Sequence, residues 1–441
     1  MKWILRHAIA GILVLVSAGC ATYSDWAGQM EHEVAVGNTA GALDILEKHL
    51  DGKRDQVLYL LNRAMLLRMA GRFEASNRDF EAAKIMIDKL SAISVSEQGG
   101  AFSINEMTRS YKGEPFDRIL IHVYAALNYL ELDRPQDARV EALQLDGLLN
   151  ELAARDFPEM AVARYVAALV YETLHEWDDA LIDYRKAYQA YGQYPGGFHV
   201  SVPAQLKYDL LRLTRRVGLR DEYERYREQW GKLDDPELDE RMARGELIFL
   251  LHSGLAPLKF SENVTAVTRD GELVTLSMPY YIPRAVTVTS ALVRENGRSV
   301  EAEMFEDINA VAQYTLDKQK PALLARAIAR AVLKHQATEA AGDRDDALGL
   351  IVNMAGVLSE RADTRSWSTL PGRIYLARLP LAPGNHKISV DLRDPTGALV
   401  ARKDFSFTLK AGGKRFITLH WVDERDLMPT SAHAVTVGER H

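Results

Sequence analysis

The residue best placed for chemistry is the chain's one thiol. Cys20 is the only cysteine among 441 residues, and it follows a charged start (Lys2, Arg6), an apolar run from Ile9 to Val16 and three small residues, Ser17, Ala18 and Gly19. That order is the order of an export signal. The apolar run is shorter than the ~20 residues a membrane-spanning helix needs. Cleavage between Gly19 and Cys20 is therefore expected, with Cys20 becoming the lipid-bearing first residue of the mature chain. The alternative, an ordinary signal with a cysteine behind it by chance, is disfavoured by the lack of any other thiol. A single cysteine also excludes internal disulfides.

Four further places carry residue types able to bind or react. In Gly113-Glu114-Pro115-Phe116-Asp117, with His122 and Tyr124 following, Glu114 and His122 could line a groove and hold a ligand's charge. The structural alternative is a helix start, where Pro115 sets φ and the acids meet the helix dipole. In Ala362 to Pro371, Asp363 and Arg365 could fix each other, and Trp367 could anchor a partner or a lipid headgroup. The alternative there is a loop whose Asp and Thr bond its own backbone. Arg326, Arg330 and Lys334 form a basic stripe at i, i+4, i+8, open to anionic headgroups or simply a solvated helix face. The apolar run from Leu348 to Leu358 could carry a lipid or polymer, or be a core helix.

Enzyme signatures are missing. No metal-protease helix, phosphate loop, dinucleotide fingerprint or nucleophile elbow occurs. The histidines are scattered, so neither metal nor cofactor is expected. Glu114 or Asp363 as acid and base of a wall-directed enzyme remains the alternative to a binding protein. Without Lys2 and Arg6 the basic residues fall from 54 to 52 against 61 acidic ones, which argues against a nucleic-acid partner. After the signal no stretch is long enough to span a bilayer.

These residues sit in two halves of different period, which predicts an α+β multidomain chain. Residues 1–19 are the signal and 20–30 a tether. From 31 to 230 apolar residues recur at three and four, with repeated helix–turn–helix units. One unit runs Ala64, Leu67, Gly71, Phe73, Ser76, Phe80, Ala83. A second has Ala126, Tyr129, the turn Asp133 to Pro135, Ala138 and Ala142. A third has Ala168, Tyr171, His175-Glu176, Trp177, Ala180, Tyr184 and Ala187. Weaker units flank them at Gly37 to Leu50 and Val202 to Tyr226, and Ser91 to Phe116 inserts a loop. Such a solenoid offers a concave surface to a peptide or protein.

Residues 231–243 read as a linker. From 244 to 421 the period is two, with Asp270-Gly271 and Asn296-Gly297 as hairpin turns. A helical insertion spans about 306–361, broken at Pro321. A β-sandwich with that insertion is the expected architecture, and 422–441 reads as a loose tail.

Ser17-Ala18-Gly19-Cys20 resembles a lipobox, with Ser17 where Leu is commoner. Ala21 after the cysteine implies, by resemblance to enterobacterial lipoproteins, the outer membrane; an Asp there favours inner-membrane retention. Three blocks, Gly113 to Phe116, Ala362 to Pro371 and Gly254-Leu-Ala-Pro257, resemble a family of proteobacterial tetratricopeptide lipoproteins across most of the mature chain. Members are often encoded near a lipoprotein similar to activators of penicillin-binding proteins. The resemblance implies an envelope role without enzymatic activity. With the anchor and the repeats, the first expectation is a periplasmic scaffold or adaptor in envelope assembly, partnered with envelope proteins.

Overall fold

A computed structural model describes residues 23–49, 55–96, 110–155, 157–194, 200–231, 233, 244–267, 273–342 and 362–430. The expected signal with Gly19 and Cys20, most of the expected linker at 231–243, the expected turn at Asp270-Gly271, the segment Asp345 to Glu360 and residues 431–441 lie outside the described residues.

Ten helices form five antiparallel hairpins. They are α1 (Tyr23–Ala35) with α2 (Thr39–Lys48), α3 (Gln56–Met69) with α4 (Phe73–Ser96), and α5 (Pro115–Glu131) with α6 (Pro135–Ala153). Then come α7 (Ala161–Thr173) with α8 (Trp177–Gln193), and α9 (Ala204–Arg216) with α10 (Arg220–Trp230). All five sequence units therefore appear as helix pairs. Each turn uses a residue in the left-handed region: Gly37, Gly71, Asp133, His175 and Gly218. Asp133 and His175 hold this conformation without glycine, at the cost that any side chain with a Cβ meets there. Small residues let the helices approach. Ala64, Ala138, Ala142, Ala168, Ala180 and Ala187 are all buried. Ser76, standing where Ala is usual, is buried too, and its hydroxyl donates to the Ala64 carbonyl at 2.7 Å.

The 20–30 tether is corrected. α1 begins at Tyr23, because Trp26, Met30 and Val34 recur every four residues and bury one helix face.

The second half begins with β1 (Glu246–Ser253), then β2 (Leu258–Val267) and β3 (Leu273–Ile282), β4 (Ser290–Glu295), β5 (Arg298–Glu301) and β6 (Glu303–Asp307). A long helix α11 (Ile308–Gly342) intervenes before β7 (Arg373–Pro380), β8 (Gly384–Arg393), β9 (Leu399–Leu409) and β10 (Lys414–Trp421). The Asn296-Gly297 turn is present, with both residues at positive φ between β4 and β5. The break expected at Pro321 is corrected: α11 runs through it. Pro321 is solvent-exposed, so the carbonyl its missing N–H would have bonded can turn to water.

Three sheets result. One is four-stranded in the order β10-β1-β7-β6, with β1 and β10 parallel; a second runs β5-β4-β8-β9; β2 and β3 form a separate hairpin. The two four-stranded sheets share a core. Leu247, Phe249 and Leu251 of β1 meet Ala291 and Val293 of β4 and Val390 and Leu392 of β8.

The sheet half does not stand apart from the helical half. All eight residues of β1 are buried. Its alternate side chains, Ile248 and Leu250, enter the same core as the helices, together with Ile374, Leu376, Phe305 and Phe416. A strand buried on both faces must lie in a middle layer. The order is therefore helical repeats, first sheet, second sheet.

The loose-tail expectation is corrected for 422–430. Glu424–Leu427 form a 3-10 turn, Asp426 is fully buried, and its carboxylate accepts from the Thr287 N–H at 2.7 Å.

Candidate functional site

The first helix of each hairpin presents its inner side to the sheet half. Asn62 of α3 accepts from the Thr369 N–H and hydroxyl. Tyr124 of α5 packs edge-on against His252 of β1 at 5.4 Å. Tyr165 of α7 packs against Phe305 of β6 at 4.5 Å. Glu31 of α1 takes Arg284 at 2.7 Å. The surface expected to receive a peptide is thus covered by the chain's own first sheet and the Ala362–Pro371 loop. The concave-groove expectation is corrected, for a physical reason: α3, α5 and α7 are apolar on nearly every side, and such helices need covering all round.

At the far side of this seam six charged side chains meet. Arg378 of β7 grips Glu246 with both ends of its fork, Nε to Oε1 and Nη2 to Oε2, each at 2.6 Å. It also reaches Glu172 of α7 at 2.7 Å and Asp209 of α9 at 2.9 Å. Lys414 of β10 donates to Glu172 and Glu246 at 2.8 Å, and Arg212 meets Glu172 at 2.9 Å. Three cations face three carboxylates, and the cluster is neutral. Burial pushes Glu172 upward, but Arg212, Arg378 and Lys414 hold it well below the usual carboxylate range. Sequence reading did not single these residues out. The signal was present as charge inside apolar runs: Glu172 after Leu169-Val170-Tyr171, and Arg378 within Ile374-Tyr-Leu-Ala-Arg-Leu379.

At the opposite end, the N-terminal ends of α3 and α5, three residues singled out in sequence come together. Glu114 caps α5, and its carboxylate takes the Lys259 ammonium of β2 at 2.6 Å and the Gln319 amide of α11 at 3.3 Å. Asp363 holds Arg365 through both carboxylate oxygens, at 2.9 and 2.7 Å, and Arg365 reaches on to Asp55, just before α3, at 2.7 Å. Lys259 lies in the field of both Glu114 and Asp363. Between them, Tyr111 donates to Asp117, which also accepts from the Glu114 N–H at 2.9 Å. Burial pushes the Asp117 carboxyl up to about 7. Asp117 is 0% exposed, so this carboxyl is shut away from a substrate.

Trp367 is also internal. At 1% exposure it packs between Phe80 at 5.9 Å and Tyr124 at 6.1 Å, and its indole N–H donates to the Thr369 hydroxyl at 3.1 Å. The expectation of an exposed anchor for a partner or headgroup is corrected; the structured-loop alternative describes it. His122 joins none of this. It points to α6, where it bonds Glu141 at 2.8 Å, and Lys84 of α4 meets the same carboxylate at 2.9 Å. Glu114 and His122 therefore line no common groove. Arg326 is exposed on α11, and the side chains of Arg330 and Lys334 lie outside the described residues. Among the described residues no group of three or more His, Cys, Asp or Glu is placed to hold a metal ion, and no helix is long and apolar enough to cross a membrane.

No family model matches the chain, and no curated protein matches it. Among solved structures, a crystal structure of MamA is similar to it at 15% identity and TM-score 0.31, over 45% of this chain and 91% of that one. MamA residues 41 to the end from Desulfovibrio magneticus RS-1 aligns at 12% identity and TM-score 0.30, over 49% and 93%. BtubC (BKLC) from P. vanneervenii aligns at 13% identity and TM-score 0.35, over 48% and 78%. With scores this low, the fold rests on the contacts described above.

Proposed function

We propose that this chain is an exported lipoprotein, held by Cys20 at the periplasmic face of the outer membrane, that acts as a protein-binding adaptor in envelope assembly. The signal and the single thiol behind it support the anchor. The observation that carries the binding role is the outer face of the repeats. Because the inner face is filled, a partner meets the second helix of each hairpin. There Ile85 of α4, Val140 and Leu143 of α6 and Ile182 of α8 are 45 to 51% exposed. Aliphatic side chains left in water on the second helices of three successive hairpins are candidates for burial against another protein.

Two experiments test the two parts. Cys20→Ser should abolish lipid labelling and release the protein from membranes; unchanged retention overturns the anchor. A photocrosslinking residue at Leu143 should capture a discrete envelope protein in cells, and Val140→Glu should abolish that capture. No crosslink from Leu143 and none from Ile182 overturns the adaptor.

A further inference from the structure

β2, β3 and the part of α11 beyond Leu316 form an arm beside the three-layer body, while Ile308, Val311, Ala312 and Leu316 of α11 lie in the core. β3 packs along α11, and β2 is the outer strand. The arm's root is fixed where Lys259 pairs with Glu114 and the Ala362 N–H donates to Ser277 at 3.2 Å. Beyond Lys259 every residue from Phe260 to Thr265 is exposed, with Phe260 at 41% and Val264 at 37%.

The arm leaves the body at the end where the N-terminal segment enters. Trp26, in the first turn of α1, stacks on His49 at 5.9 Å. Six residues later the chain reaches Asp55 at the start of α3, which pairs with Arg365. Arg365 is clasped by Asp363, beside Lys259. The starts of α1, α3 and α5 therefore lie at one end of the repeats, and the arm's root lies there too. Cys20 is three residues before Tyr23, so the chain can separate the two by no more than about 11 Å. A lipid on Cys20 places this end, and with it the arm, at the bilayer surface.

Charge agrees. The sequences of β2, β3 and α11 together hold six basic residues (Lys259, Lys318, Lys320, Arg326, Arg330, Lys334) against three acidic ones (Glu262, Asp317, Glu339), in a chain whose net charge is −7. A cationic helix within a Debye length of anionic lipid is drawn to it, and the acidic remainder is not.

We propose that this arm lies on the anionic headgroups of the bilayer that holds Cys20, with Phe260 and Val264 reaching the acyl boundary. The proposal rests on the lipid-anchor reading and adds a second, non-covalent contact that sets the protein's orientation.

The test uses the full lipidated chain in vesicles of phosphatidylethanolamine and phosphatidylglycerol. Cys20 is blocked by its thioether, so a bimane on Val264→Cys reports that site alone. Leu399→Cys, 55% exposed on the second sheet, serves as reference. Nitroxide-bearing lipid should quench the Val264 probe at least twofold more than the reference, and Arg326→Glu should reduce the difference. Equal quenching at both sites, in protein that still floats with the vesicles, overturns the arm contact and leaves the anchor standing. A chain without acyl mass on Cys20 that stays in solution overturns both.

Discussion

Arg378 on β7 and Glu172 on α7 meet at 2.7 Å with both side chains 1% exposed, joining the two halves of the chain through a contact 206 residues apart in sequence. Burying an ion pair carries a desolvation cost that its attraction offsets only with complete hydrogen bonding. Here the guanidinium fork is filled by Glu246, Glu172, Asp209 and the Tyr184 hydroxyl. In this arrangement sheet and repeats bring all three carboxylates onto their cations.

Removing one partner leaves the others charged and buried. Arg378→Met should destabilise the protein by about 3–5 kcal/mol, measured by urea unfolding. Arg378→Lys should recover little, because an ammonium cannot reproduce the two-pronged grip on Glu246. A loss below about 1 kcal/mol for Arg378→Met would show the cluster to be solvated.

Trp367 distinguishes an internal wedge from an exposed anchor by stability alone. Trp367→Ala should cost about 3–5 kcal/mol, the usual penalty for emptying a buried aromatic site. An exposed tryptophan would change stability by less than about 0.5 kcal/mol. The same denaturation curves decide it.

Glu306 gives a signed pH dependence. It is fully buried, accepts from Tyr194 at 2.7 Å, and burial raises its carboxyl from 4.5 to about 8. The folded protein keeps a proton there that the unfolded chain releases near 4.5. Its stabilising contribution is complete below about 4.5 and is lost as the pH rises through 8. Glu306→Gln should match wild type in melting temperature near pH 5, exceed it increasingly up to about pH 8 and level off beyond. A constant difference across that range would refute the assignment.

His252 acts in the opposite sense. It neighbours His420 on β10, with ring nitrogens 3.4 Å apart, and burial, His420 and Arg68 lower its pKa well below 6.5. Below pH 6.5 the unfolded chain takes up a proton that the folded one refuses. Stability should therefore fall by about 1.4 kcal/mol per pH unit for this imidazole. His252→Gln should flatten the acid limb relative to wild type, read as the difference between the two pH profiles. Parallel profiles would rule the imidazole out.

Local patterns carried much of this molecule. The five helix pairs, the turns at Gly71, Asp133 and His175, and the strand pattern from Glu246 to Trp421 follow from residue spacing, since a helix hairpin or a strand is set by neighbours within a few positions. The same holds for the start of α5, where Pro115 and the acids beside it mark a helix terminus. At Glu114, Asp363 and Arg365 the sequence marked residues that do converge, but not what they converge on: Lys259 is 145 positions from Glu114.

What sequence alone determined was the repeat, the single thiol behind a short apolar run, and the change of period near residue 244. Tertiary structure decided that the repeat's inner face is filled, that Trp367 is core, and that Glu172, Asp209, Glu246 and Arg378 form one cluster. The reason is physical. Periodicity reports which face of an element is apolar, whereas the partner that covers that face is chosen by a global fit of shape and charge between segments far apart in the chain. A face that reads as free for another protein reads the same when the chain's own sheet is to occupy it.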